Sequence, residues 1–213
     1  MKQRKVMFVM LVCIFVIVVK QSYLWSEEPS VVVKEIILNE SSFNEIEDIY
    51  ERKAKQWEVI STSINFEMIS QNVMGEYWEK CLYEEKSEFV ESFTNHLKSS
   101  YIKKVNSLFG KKIISLEGKQ CDNFARVQTV LLAKSGKEVS TDFYLVHENG
   151  EWKICDLAVE GVSLVNNYRS QITHTLGRTS YEELLQTMKK KQAKKNYSTE
   201  QPLLVSDLSD QSF

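Results

Sequence analysis

The chain has 213 residues, a length that suits one folded domain with a short terminal segment. Its composition, 43% hydrophobic and 26% charged, is that of a globular protein rather than a disordered or fibrous one. Beyond the first 26 residues it carries 23 basic and 29 acidic side chains, a net charge of about −6. This acidic balance argues against nucleic acid as a partner.

The amino-terminal segment has the pattern of an export signal. Three basic residues precede an apolar run at residues 6–19, and Lys20 ends that run. These 14 residues match the core of a signal peptide and fall short of the ~20 that a membrane-spanning helix needs. No A-x-A cleavage site follows them. We predict that residues 1–26 are either a cleaved signal peptide or an uncleaved anchor in the inner membrane.

Residues 29–109 follow a helical pattern. Apolar side chains recur at intervals of three and four residues, as in Trp57, Ile60 and Ile64. A second apolar stripe repeats every fourth residue between positions 89 and 105. Asn65 is a candidate helix cap and Gly75 a candidate helix end. The pattern predicts amphipathic helices that must cover another surface.

The hydrophobic period changes over the next fifty residues. Four strand-like runs follow one another, at residues 111–117, 124–133, 139–148 and 152–159. Ser135-Gly136 and Asn149-Gly150 separate the last three runs, and Asn-Gly is a strong signal for a two-residue hairpin. The runs therefore predict an antiparallel meander.

Alternation along the strands predicts which face of the sheet is covered. The more apolar face is expected to carry Ile114, Leu116, Ala125, Val127, Leu131, Tyr144, Val146, Cys155, Leu157 and Val159. The opposite face mixes polar residues with Phe143, Leu145 and Trp152. We expect the first face to lie under the helices.

Two further helices are predicted at residues 162–176 and 180–195. Ser163 is the candidate cap of the first helix and Gly177 its candidate end. Ser180 and Glu183 have the spacing of a capping box for the second.

The order of helices, meander and helices predicts an α+β fold. We expect a curved, antiparallel, four-stranded sheet that helices cover on one face. The chain divides into the segment 1–26, a domain at residues 27–195 and a polar tail at 196–213 that is expected to be disordered.

The sequence contains no evident catalytic or metal-binding motif. His96, His147 and His174 fall on three different predicted elements without the spacing of a metal site. There is no glycine-rich phosphate loop and no G-x-S-x-G motif. We predict no catalytic residue, no metal and no cofactor.

Other polar residues in the strands have structural interpretations. Asp156 and Glu160 form a pair of carboxylates, which we expect to anchor the strand end through backbone amides or to pair with Arg126. The three cysteines beyond the export segment are Cys81, Cys121 and Cys155, and their spacing matches no metal or redox motif. We expect free thiols, with one disulfide as the alternative.

Two blocks of the sequence resemble the MlaC family, also called the toluene-tolerance family. Residues 151–171, EWKICDLAVEGVSLVNNYRSQ, resemble the family signature W-K-(I/V)-x-D-x-x-(V/I)-E-G-V-S-L-V-x-N-Y-R-S-Q. Residues 65–78, NFEMISQNVMGEYW, resemble its D-F-x-x-M-x-x-x-(V/A)-L-G-x-Y-W segment, with Asn65 in place of aspartate and Met74 in place of leucine. The helix that follows is also similar to the family's long helix.

The resemblance implies a cone-like relative of the NTF2-like fold, with an apolar lipid cavity under the sheet. It also implies a periplasmic protein, not an enzyme, that carries phospholipid. Its partners would be an outer-membrane lipoprotein complex and the lipid-transfer complex of an inner-membrane ABC transporter. Such transport maintains the lipid asymmetry of the outer membrane.

Under this resemblance, apolar residues of the covered face become candidates for lining the cavity. From the sheet these are Ile114, Val127, Leu131, Tyr144, Val146, Leu157 and Val159. From the helices they are Met68, Val73, Phe89, Phe93, Leu164 and Ile172. Tyr168 and Arg169 are the candidates for the rim or for contact with the lipid head group.

Two other hypotheses remain open at this point. The first is an NTF2-like cavity enzyme that acts on a small apolar substrate, with Asp142 and Tyr144 as its functional residues. The second is a membrane-anchored interaction domain that binds no ligand.

Overall fold

The computed structural model describes residues 28–39, 43, 46–108, 112–132 and 136–200. The predicted export segment lies outside these residues, as does the predicted tail beyond residue 200. Within the described part of the chain, no helix is both long enough and apolar enough to cross a membrane.

Helices precede and follow an antiparallel sheet. The first helices are α1 (Pro29–Asn39), α2 (Ile49–Ser61), α3 (Phe66–Met74), a 3₁₀ helix (Gly75–Lys80) and the long α4 (Tyr83–Leu108). The strands are β1 (Lys112–Cys121), β2 (Phe124–Leu132), β3 (Glu138–Glu148), β4 (Glu151–Val159) and β5 (Val162–Ser163). The last helices are α5 (Leu164–Leu176) and α6 (Tyr181–Glu200). Helix α6 thus continues through the first five residues of the predicted tail.

The sheet confirms the predicted α+β fold. Its strands pair in the order β1-β2-β3-β4-β5, every neighbour is antiparallel, and the sheet stays open. The short β5 is the addition to the predicted four strands. The chain reaches it through a tight turn in which Glu160 and Gly161 both have positive φ, 51° and 78°. The predicted hairpin at Asn149-Gly150 is also present, with φ of 53° and 86°.

The helix ends follow the predicted capping chemistry. The side chain of Asn65 accepts a hydrogen bond from the amide of Met68 at 2.8 Å, which caps α3. Gly75 ends α3 with a φ of 57°, a conformation that favours glycine. Ser163 caps α5 by accepting from the amide of Asn166 at 3.0 Å.

Helix α1 covers the β1–β2 half of one sheet face. Val33 and Ile37 are fully or almost fully buried and pack with Val127 and Leu131 of β2. A Cβ on Gly118 of β1 would lie 3.4 Å from the Ser30 Cβ, so the helix runs close to the strand. The other half of this face, formed by β3 and β4, is left for the remaining helices.

A second apolar cluster joins the helices to one another. Phe89 and Phe93 of α4 stack with ring centroids 5.6 Å apart and are almost completely buried. Residues of α3, α5 and α6 complete this cluster, among them Val73, Ile172 and Leu185. The helical layer therefore has its own core, which is separate from the core that α1 forms on the sheet.

The linker between α2 and α3 is fixed to the outer edge of β4. The backbone of Ile154 donates to the Ser63 carbonyl at 2.8 Å and accepts from the Asn65 amide at 2.9 Å. Lys153 Nζ also donates to the Thr62 carbonyl at 2.7 Å. These contacts hold the start of α3 against β4, and both elements contribute walls to the site described next.

Candidate functional site

A cavity of about 500 Å³ lies between the β3–β4 half of the sheet and the helical layer. The sheet contributes Phe143, Ile154, Leu157 and Val159, from the β3–β4 half of the face on which α1 packs. The helices and the α2–α3 linker contribute Ile36, Trp57, Ile60, Ile64, Phe66, Ile69, Leu97 and Leu164. The walls are therefore mainly aliphatic and aromatic, which suits an apolar ligand.

The side chains that line the cavity differ widely in exposure. Ile36, Ile69 and Phe143 are buried, with exposed fractions of 5%, 4% and 2%. Val162 of β5, which is 64% exposed, also borders the cavity, as do the exposed Asn167 and Gln171 of α5. We call the part that these three exposed residues border the mouth.

Most polar lining residues come from two facing helices. Helix α4 contributes His96 and Ser100, and α5 contributes Asn167 and Gln171. Both pairs have the i, i+4 spacing that places side chains on one helix face. The amide of Gln171 donates to Asn167 Oδ1 at 3.0 Å. The mouth can therefore form hydrogen bonds with a polar group while the interior remains apolar.

Aromatic rings connect the mouth to the helical core. The Tyr168 ring lines the cavity and meets Phe93 edge to face, with centroids 5.1 Å apart. It makes a similar contact with His96 at 5.6 Å. Edge-to-face packing fixes ring orientation, so these contacts hold α4 and α5 at a defined separation beside the cavity.

Asp156 joins β4 to the start of α5. Its Oδ1 accepts from the amides of Leu157 at 2.8 Å and Val165 at 3.0 Å. Its Oδ2 accepts from the Ser163 hydroxyl at 2.5 Å. Although Asp156 borders the cavity, both of its carboxylate oxygens already accept hydrogen bonds that hold the start of α5 in place. The structure therefore favours the anchoring role that we expected.

Glu160 has a similar anchoring role. Its Oε1 accepts from the amide of Ser140 at 2.9 Å and ties the β4–β5 turn to β3. The predicted alternative, in which Arg126 pairs with Asp156 or Glu160, does not occur. Arg126 instead pairs with Asp142 at 2.9 Å and lies over the Tyr144 ring.

Four of the residues predicted from the sequence border the cavity: Leu157, Val159, Leu164 and the rim candidate Tyr168. Arg169, the other rim candidate, does not border it. Its Nε donates to the Asn72 carbonyl of α3 at 2.5 Å, so its guanidinium joins two helices. Successive residues of α5 face different neighbours, and only the first of this pair faces the cavity.

Four of the strand residues predicted to line the cavity lie elsewhere, and the alternation of apolar and polar residues did not reveal this. Val127 and Leu131 are on the expected face but lie under α1. Tyr144 and Val146 are on the opposite face, because Val127 pairs with Phe143 and not with Tyr144. All residues from Phe143 to Val146 are apolar or aromatic, so the sequence pattern does not show which of them face the helices.

Ile114 is a further correction, because it is 48% exposed and lies outside the cavity. The register between β1 and β2 shifts between Ile113 and Ser115, which leaves Ile114 as the extra residue of a bulge. Ile113 takes its place in the cluster under α1.

The helical candidates other than Leu164 do not border the cavity. Val73, Phe89, Phe93 and Ile172 are buried in the core of the helical layer, and the half-buried Met68 lies on α3 away from the cavity. On α4 the lining begins at His96 and Leu97, one turn beyond Phe93. An apolar stripe predicts which face of a helix is buried. What each turn of that face packs against depends on the tertiary structure.

Several lining residues were not proposed from the sequence. The spacing of Trp57, Ile60 and Ile64 indicated a buried helical face, so the sequence could have nominated these three residues. Ile36, His96 and Gln171 carried no such signal, because only the packing of distant elements brings them to the cavity.

The three thiols do not border the cavity. Cys81, Cys121 and Cys155 are free, and Cys121 is exposed whereas Cys155 is buried. Burial raises the pKa of the Cys155 thiol to about 11.

Among the residues that the structure describes, no group of three or more His, Cys, Asp or Glu side chains is arranged to hold a metal ion.

A mixed helix and sheet fold around an apolar interior with a polar mouth defines the class of the molecule, a cavity-forming α+β protein. The family model described as MlaC protein matches residues 33–190, about three quarters of the sequence. The chain belongs to the MlaC family.

A solved structure supports the fold. It is a phospholipid-binding protein from Ralstonia solanacearum in complex with a phospholipid. The two chains are 16% identical, the alignment covers 79% of this chain and 99% of the other, and the TM-score is 0.70. None of the curated proteins matches this chain.

Proposed function

We propose that this protein binds phospholipid and carries it across the periplasm between the two membranes. The observation that carries the proposal is the cavity, apolar inside and polar at its exposed mouth. Membership of the MlaC family and the phospholipid held by the Ralstonia protein support the same conclusion.

The physical need for such a carrier follows from the hydrophobic effect. Each buried methylene is worth ~0.8 kcal/mol, so a chain of about sixteen carbons costs on the order of 10 kcal/mol to expose to water. Spontaneous transfer between membranes is therefore slow. An apolar wall such as that formed by Ile60, Ile154 and Leu157 replaces the bilayer interior, and the head group remains near water at the mouth.

Such a carrier needs no catalytic residue, because no bond is made or broken. The residues nominated for the enzyme alternative give that hypothesis no support. Phe143 lines the cavity, so its neighbours Asp142 and Tyr144 point to the opposite face of the sheet. Asp142 is paired there with Arg126.

We also propose that the protein is exported and moves freely in the periplasm. We expect residues 1–26 to direct export and to be removed, which leaves a protein free to move between an outer-membrane lipoprotein complex and an inner-membrane ABC transporter. Amino-terminal sequencing of protein from the periplasmic fraction tests this route. A sequence that still begins at Met1 contradicts it.

Lipid extraction and native mass spectrometry of the protein purified from its host test the binding function. We expect a phospholipid to copurify with the folded chain. Leu157→Glu places a charge on a half-buried part of the cavity wall, so this variant should be recovered without lipid. Repeated recovery of wild-type protein without lipid would overturn the proposal.

A further inference from the structure

The second half of α6 lacks the apolar stripe that packs the first half on the helical core. In the first half Leu184, Leu185 and Met188 are buried in that core, with exposed fractions of 5%, 5% and 7%. On the helical period this stripe continues at positions 191, 192 and 195, which hold two lysines and a glutamine. The stripe therefore stops at Met188, about three turns before the helix ends.

This half of α6 carries an excess of positive charge that the helix does not offset. Residues 189–195, KKKQAKK, include five lysines, and Glu88 of α4 binds the first of them, Lys189, at 2.6 Å. The sequence has no acidic residue at positions 184–199, so none lies three or four residues from the other four lysines. Those four form two pairs at i, i+4 spacing, at which like charges repel each other. We call Lys190, Lys191, Lys194 and Lys195 the basic segment.

Stabilisation of the helix terminus does not explain the basic segment. Cations favour the last turn of a helix, where the free carbonyl groups carry partial negative charge, and the effect falls off within that turn. The last turn of α6 contains no basic residue and ends at Glu200. The repulsion among the four lysines is therefore offset only by an anionic partner from outside the helix.

The rest of the domain has the opposite charge. Without the four lysines of the basic segment, the chain beyond residue 26 has 19 basic and 29 acidic side chains, a net charge of −10. An anionic surface repels this remainder and attracts the basic segment. The charge distribution therefore orients the protein so that the end of α6 meets such a surface first.

A bilayer that contains anionic phospholipid fits the basic segment better than an acidic protein does. Lysine is a compact point charge that responds to a diffuse negative surface, whereas arginine forms paired hydrogen bonds with individual carboxylates. Helix α6 contains no arginine. After the helix, the sequence continues with Leu203, Leu204 and Val205. Apolar residues beside a basic segment are typical of sequences that bind at the bilayer surface.

We propose that the basic segment docks this protein on bilayers that contain anionic phospholipid. The inference rests on the proposed export, because the exported protein meets the membranes from the periplasm, and it concerns attachment to a bilayer rather than the cargo. Each lysine near an anionic bilayer strengthens binding roughly fivefold. Salt screens this attraction, so the attachment is reversible.

Vesicle flotation tests the docking surface. The mature protein, purified from its host, is mixed with vesicles of phosphatidylethanolamine and phosphatidylglycerol, or with vesicles of phosphatidylcholine alone. We expect at least tenfold more protein on the anionic vesicles, and loss of most of this binding when salt is raised from about 50 mM to about 300 mM. Equal binding to both kinds of vesicle, or binding to neither, overturns the inference. The proposed function then still stands, because copurification of phospholipid tests the cavity by itself.

A matched pair of variants tests the position of the surface. The first variant replaces the whole basic segment with a residue of similar helix propensity, and it should bind anionic vesicles at least tenfold less. Its substitutions are Lys190→Gln, Lys191→Gln, Lys194→Gln and Lys195→Gln. The control removes the same charge from exposed lysines elsewhere and should bind within about twofold of wild type. Its substitutions are Lys55→Gln, Lys98→Gln, Lys119→Gln and Lys137→Gln.

Equal losses in the two variants overturn the inference, because net charge and not the basic segment would then govern binding. If the first variant does not fold, the comparison of vesicles with wild-type protein still decides. A photoreactive amino acid at position 192 identifies the partner in the host, and we expect crosslinks to phospholipid. Crosslinking to one protein instead would assign the surface to an acidic protein and overturn the inference.

Discussion

The Ser163 hydroxyl donates a hydrogen bond to the Asp156 carboxylate across the β4–β5 turn, at 2.5 Å. The same hydroxyl accepts from the Asn166 amide and so caps α5. One pair of side chains therefore fixes the helix that forms the mouth to the strand that forms the wall. The two residues are seven positions apart in the sequence, and the β4–β5 turn brings them together.

Removal of the Asp156 carboxylate should destabilise the fold. Asp156→Ala loses an acceptor for two backbone amides and a hydroxyl, and we expect the free energy of unfolding to fall by ~2–3 kcal/mol. Glu160→Ala is the control, because the exposed Glu160 accepts a single amide and should cost less than ~1 kcal/mol. Urea unfolding measures both. Equal losses for the two variants would show that Asp156 is not the anchor.

Two strand residues that the sequence predicted to line the cavity allow a matched comparison. Leu157 borders the cavity, and Ile114 occupies a bulge outside it. Leu157→Glu should weaken binding of a fluorescent phospholipid analogue at least tenfold, because it places a charge against an acyl chain. Ile114→Glu should bind as wild type, since Ile114 is 48% exposed. Similar effects of both substitutions would mean that the lipid binds elsewhere.

Trp57 should report on ligand binding. It lines the cavity, whereas Trp78 and Trp152 do not. Phospholipid added to the delipidated protein should therefore shift the tryptophan emission, and Trp57→Phe should abolish most of this shift. Trp78→Phe retains Trp57 and serves as the control. A shift that persists in Trp57→Phe but disappears in Trp78→Phe contradicts the cavity assignment.

The β4–β5 turn should be sensitive to glycine replacement for conformational reasons alone. Gly161 has a φ of 78° and nothing within 4 Å of a built Cβ, so Gly161→Ala introduces backbone strain without a clash. We expect a loss of ~1–2 kcal/mol in unfolding free energy. Gly118→Ala has no such φ and meets the Ser30 Cβ at 3.4 Å, an ordinary contact distance, so its loss should be smaller. Thermal unfolding of both variants checks this order.

The cysteines should differ in reactivity. Burial raises the pKa of Cys155 to about 11, so at pH 8 roughly one thiol in a thousand is ionised. Cys121 is exposed and should react first with iodoacetamide. Because a raised pKa lowers the thiolate fraction at a given pH, labelling of Cys155 should keep rising about tenfold per unit between pH 8 and 10. Peptide mass spectrometry follows each site, and a plateau for Cys155 below pH 9 would contradict the assignment.

Local chemistry made much of the fold predictable. Asn65 and Ser163 act as caps, Gly75 ends a helix and Asn149-Gly150 forms a hairpin, because each of these signals depends on a few neighbouring residues. The antiparallel order of the strands followed from short turns between alternating runs.

The cavity was less predictable because it depends on contacts between distant segments. Val127 and Leu157 lie on the same sheet face, yet α1 covers one and the cavity borders the other. Ile36 and His96 reach the cavity from helices that are far apart in the sequence. Apolar spacing identifies buried residues but cannot distinguish a filled core from a wall that faces empty volume.

The attachment of the α2–α3 linker to β4 also matters for the protein without a bound ligand. An unloaded apolar wall beside an unpaired strand would be a template for strand addition and aggregation. Here both backbone hydrogen-bonding groups of Ile154 are already occupied by Ser63 and Asn65. The apolar wall therefore has no free β-edge at Ile154, even when no ligand covers it.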